Sequence, residues 1–140
     1  MDLRLSMLLL LASVGLQVNA LRQELGTLYM SGKVVNENRR GQESMIYGYK
    51  NHEVVKEIPT SKIGKFAIDV KMQDSVALVI FSEGYVSKTL IVSTKIHPAK
   101  QGKDYAFPFF VDLYPVGRVP APIDLDRPVG KVMYQGGQFI

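Results

Sequence analysis

Apolar and polar residues alternate along most of this chain with a period of two, the period of a half-buried β-strand. Lys65 to Lys71 shows it cleanly: Phe66, Ile68 and Val70 point one way, Asp69 and Lys71 the other. The same reading predicts strands over Thr27–Val35, Ser44–Lys50, Glu53–Ile58, Val86–Ser93 and about Tyr105–Tyr114. Val76–Phe81 is apolar at every position. Such a run suits a strand near the centre of a sheet, covered on both faces. Turn residues separate the runs: Asn36–Gly41, Asn51–His52 and Thr60–Gly64. Pro59 ends one run, and Pro108 inside another predicts an edge position or a late start for that strand. Outside the N-terminus no segment shows a helical period.

Seven short strands in one chain predict an all-β fold, a seven-stranded Greek-key sandwich of the immunoglobulin-like or prealbumin-like kind. Its expected bounds are residues 21–114. Residues 1–20 are expected to be a cleaved signal peptide. Arg4 precedes the apolar run Leu5–Leu16, and Val18-Asn19-Ala20 is a small-residue cleavage site. Gln17 and Asn19 end that run too early for a membrane span, so no transmembrane segment is expected after cleavage. Pro115, Pro120, Pro122 and Pro128 change the composition of residues 115–140. Each Pro fixes φ and removes a donor, which predicts an extended Pro-rich arm, with one more strand over Val129–Tyr134.

Cys is absent. That excludes thiol chemistry and disulfide staples, and an exported Cys-free chain points to a bacterial envelope, periplasmic, outer-membrane associated or extracellular. The net charge of +4 is modest, and Lys and Arg are spread out. No basic face with stacking aromatics is visible, so no nucleic acid is expected as a partner.

Three short patterns carry a resemblance. They are Tyr29-Met-Ser-Gly-Lys-Val-Val35, Gly64-Lys-Phe-Ala-Ile68 and Phe81-Ser-Glu-Gly-Tyr85. Together they resemble the carboxypeptidase regulatory-like domains, which are transthyretin-like β-sandwiches of exported bacterial proteins. The likeness covers about residues 27–93. It implies structural roles for Gly32, Gly64, Phe66, Gly84 and Tyr85, and a non-catalytic module. Arg40-Gly-Gln-Glu-Ser44 departs from the family's step before the second strand.

Candidate chemistry is sparse. His52 falls in a hairpin turn and His97 precedes a Pro in a polar loop. No Gly-x-Ser-x-Gly elbow and no phosphate loop occurs. Two carboxylates at Asp124 and Asp126, or the oxygens of Asn36-Glu37-Asn38, are each followed by Arg, which opposes a dication. No catalytic residue, metal or cofactor is therefore expected, and the chain is expected not to be an enzyme. The expected function is that of a structural or protein-interaction module of the cell envelope, binding an envelope protein. The expected contacts are the sheet edge at the seventh strand and the arm, through Pro120, Pro122, Val129, Val132 and Tyr134. The alternative is a glycan or small-molecule binding module using loops and tyrosines such as Tyr47 and Tyr49.

Overall fold

The structure, a computed structural model, describes residues 25–117 and 128–140. The expected signal peptide, Pro120 and Pro122 lie outside these residues. The described residues form ten strands: β1 Thr27–Val35, β2 Met45–Lys50, β3 Glu53–Pro59, β4 Lys65–Lys71, β5 Ser75–Phe81, β6 Lys88–Ser93, β7 Tyr105–Asp112, β8 Gly130–Val132, β9 Tyr134–Gln135 and β10 Gln138–Phe139. A single 3-10 turn, Pro98–Lys100, is the sole helical element among the described residues.

Two sheets form a β-sandwich. One has the order β4-β1-β7 and the other β3-β2-β5-β6-β8, while β9 and β10 make a separate hairpin. Most pairings are antiparallel, but β1–β7 and β6–β8 are parallel. The alternation seen in sequence decides which side chains meet. Leu28, Met30 and Val34 of β1 and Phe66, Ile68 and Val70 of β4 are buried from one sheet. Ile46, Val76, Leu78, Ile80 and Val92 are buried from the other. Each such side chain stabilises the fold by about 1.5–3 kcal/mol when fully withdrawn from water.

The buried polar groups are all paired. Thr94 donates its hydroxyl to the Lys71 carbonyl at 2.5 Å and accepts from the Asp74 N–H at 3.0 Å. The Ser44 N–H donates to Thr60 Oγ1 at 2.9 Å. Among the described residues no buried side-chain nitrogen or oxygen lacks a partner.

One expectation is extended and another corrected. The described residues hold ten strands: the seven expected of the sandwich, the one expected within Val129–Tyr134, seen as β8 Gly130–Val132, and the short β9 and β10, which were not expected. The arm is also not free where it is described. β8 extends the larger sheet at β6, and Val132 is 3% exposed. The β9–β10 hairpin packs on β7 through a ring cluster. Tyr105, Tyr134 and Phe139 meet pairwise edge-to-face at 5.3–5.6 Å between centroids. Apolar side chains at both ends of this segment find room in the core, and their burial holds it there.

Candidate docking face

The most distinctive surface is the outer face of the five-stranded sheet. β5 is its middle strand. Its Val76, Leu78 and Ile80 point into the core, so pleating sends Ala77, Val79 and Phe81 outward. No described element covers them: Ala77 and Val79 are half-buried among their neighbours, and Phe81 is 44% exposed. The expectation of a strand covered on both faces is corrected here to a central strand covered on one.

Register carries this apolar character across the sheet. One cross-strand row reads Glu57, Tyr47, Val79, Thr89. The next reads Val54, Tyr49, Ala77, Ile91, Lys131. A third begins Pro59, Met45, Phe81. Glu57 and Lys131 are therefore the charged residues at the outward positions of these rows, one at each edge.

A shallow depression of about 530 Å³ lies at one end of this face, lined by Tyr49, Lys50, Asn51, His52, Ser75 and Ala77 among others. The β2–β3 turn forms one rim. Asn51 and His52 have φ of 50° and 65°, as a two-residue hairpin turn with both centres left-handed requires. A β-bulge between Gly48 and Tyr49 bends the hairpin. Lys50 pairs with Asp74 close by.

The residues singled out in sequence do not converge on one site. Gly64 and Gly84 have φ of 78° and 82°, the positive values expected of their turns. Gly32 lies where a Cβ would sit 1.8 Å from the Phe109 carbonyl oxygen. Phe66 is buried and meets Phe109 edge-to-face at 5.3 Å. Tyr85 is half-buried and bridges to Pro115. Burial and then the Glu37 carboxylate beside it push the Tyr85 hydroxyl above the ordinary tyrosine range. Val129 is 57% exposed and donates its N–H to the Thr89 carbonyl. Val132 is buried in the protein's own core, so its side chain is not offered to a partner. Tyr134 belongs to the ring cluster over β7.

His52 and His97 sit apart, on the β2–β3 turn and before the 3-10 turn; the His97 carbonyl accepts from the Lys100 N–H. Among the described residues no group of three or more His, Cys, Asp or Glu is placed to hold a metal ion. None of their helices is long and apolar enough to cross a membrane. At the opposite end, Lys88 lies 5.1 Å from the centre of the Tyr114 ring. Burial lowers its pKa, and the Asp112 carboxylate partly restores it.

No family model matches the chain, and no curated protein matches it either. Solved structures do. A 3-chlorocatechol 1,2-dioxygenase from Rhodococcus opacus 1CP is 13% identical with a TM-score of 0.47, over 66% of this chain and 61% of that one. A catechol 1,2-dioxygenase from Acinetobacter sp. ADP1 is 10% identical with a TM-score of 0.43, over 76% and 58%. The TIE protein of Bacillus anthracis is 12% identical with a TM-score of 0.38, over 64% and 16%. The chain thus spans less than two thirds of each of these proteins.

The expectation that the chain is not an enzyme is withdrawn. A sandwich fold does not by itself exclude catalysis, because function resides in sites and not in folds. A β-sandwich is also all that remains shown of the family resemblance drawn from the short motifs.

Sequence reasoning missed the outer face. Its signal was the unbroken apolar run of β5 together with Met45, Tyr47 and Tyr49 on β2. That pattern is the same whether a second layer covers the strand or a partner does.

Proposed function

We propose that this chain is an exported protein-interaction module of the cell envelope, and that it docks a protein through the outer face of its five-stranded sheet. The observation that carries the proposal is the composition of that face: its rows are apolar or uncharged except for Glu57 and Lys131 at the two edges. A contiguous apolar patch rimmed by polar groups marks an interaction surface in a folded protein. The apolar run before Ala20 supports export. The three short motifs support kinship with the carboxypeptidase regulatory-like sandwiches.

Docking through a face replaces docking through the edge at β7. The Leu113 N–H donates to the Val35 carbonyl. Successive N–H groups alternate in direction, so position 108 faces away from β1. Pro108 thus removes a donor from the open side of β7, which blunts that edge as a template for an incoming strand.

The experiment is photo-crosslinking in intact cells, with the reactive residue placed at Val79 on the face or at Asp69 on the other sheet. The expected result is a discrete protein adduct from position 79 and none from position 69. An absence of protein adducts from 79 contradicts the reading.

A glycan or small molecule is the second reading, favoured by the depression beside Tyr49. It has a tyrosine wall, with Lys50, Asn51 and Ser75 supplying polar contacts. A glycan-array signal abolished by Tyr49→Ala would select this reading over the first.

A further inference from the structure

We propose that the occupant of this face is the same face of a second copy of the chain. The inference rests on the reading of the face as a docking surface. Charge placement carries it first. Glu57 lies on β3 at one edge, and Lys131 lies on β8 at the other. An isologous pair has a two-fold axis in the plane between its sheets. An axis running along β5 lays β3 of one copy over β8 of the other, so that Glu57 approaches Lys131, and does so twice. An axis running across the strands lays β3 over β3 and sets Glu57 near Glu57. Opposite charges favour the first arrangement and like charges disfavour the second.

The rows that end in Glu57 and Lys131 are neighbours, two residues or about 7 Å apart along the strands. Long side chains span that offset.

Shape agrees with charge. In the favoured arrangement β5 lies over β5, where Ala77 and Val79 are small and let the layers close to about 10 Å. β2 lies over β6, so Tyr47 and Tyr49 meet the smaller Thr89 and Ile91. Sheets stacked in this way align within about 30° of each other.

Size sets the strength. Five strands at about 4.8 Å and about five residues at about 3.3 Å give a face of roughly 400 Å² per copy in projection. That belongs to the small, transient class of interfaces. The association is therefore concentration-dependent and salt-sensitive at its rim.

Sedimentation velocity of the purified chain over a concentration series tests this. The expected result is a reversible monomer–dimer equilibrium. Val79→Lys should leave monomer only. Glu57→Lys and Lys131→Glu should each shift the midpoint to several-fold higher concentration, and the double reversal should restore it. Both rim residues are exposed, and a thermal melt of each variant verifies folding. A monomer at every concentration overturns self-association while leaving the docking reading to the crosslinking experiment. A dimer indifferent to Val79→Lys uses another surface and overturns the inference. Loss on single reversal without restoration by the double overturns the arrangement.

Discussion

Gly64 and Gly84 share a backbone conformation and differ in surroundings. Both have positive φ, where an L side chain is strained by roughly 1–2 kcal/mol. A Cβ on Gly84 would meet nothing within 4 Å. A Cβ on Gly64 would lie 2.3 Å from the Val34 carbonyl oxygen, at a point where the Val34 N–H also donates to the Gly64 carbonyl. Gly84→Ala should therefore cost about 1 kcal/mol, and Gly64→Ala clearly more, because the backbone contact must also open. Urea denaturation of the two variants measures the difference; equal losses would contradict the geometry. That both glycines have structural roles was implied by the short motifs that contain them. The closeness of β1 to Gly64 was not, since it arises from a pairing between distant segments.

At the scale of elements, length decided what could be read. β1 to β7 have six to nine residues, enough for period-two alternation to show. β8, β9 and β10 have three, two and two, too few to carry a period. The C-terminal segment therefore reads as an arm, while Val132 and Phe139 are core residues. Phe139→Ala should remove the cap on Tyr105 and Tyr134 and destabilise the whole domain by about 3 kcal/mol, the usual loss for a buried ring. Thermal unfolding measures it, and an unchanged melting temperature would show the hairpin to be an appendage. Pro108 left an edge position or a late start open for β7, and the sheet order places the strand at the edge. The parallel partnership of β7 with β1 was not, because sequence periodicity is indifferent to strand direction.

On the scale of the whole molecule, the candidate site follows from the order β3-β2-β5-β6-β8. Only that order sets Tyr47, Val79 and Thr89 side by side and sends Glu57 and Lys131 to opposite rims. The apolar run of β5 was visible in the sequence, but whether its second face meets this chain or another depends on the topology. Docking of any partner on this face requires that it be open in the isolated molecule. The natural chain has no Cys, so Val79→Cys would introduce its sole thiol. The decisive measurement is the rate of maleimide labelling of that thiol in dilute native protein. Labelling should run at a rate near that of the urea-unfolded chain and fall as concentration rises and copies pair. A thiol that stays unreactive in dilute native protein would mean that the chain covers its own face, and would contradict docking there.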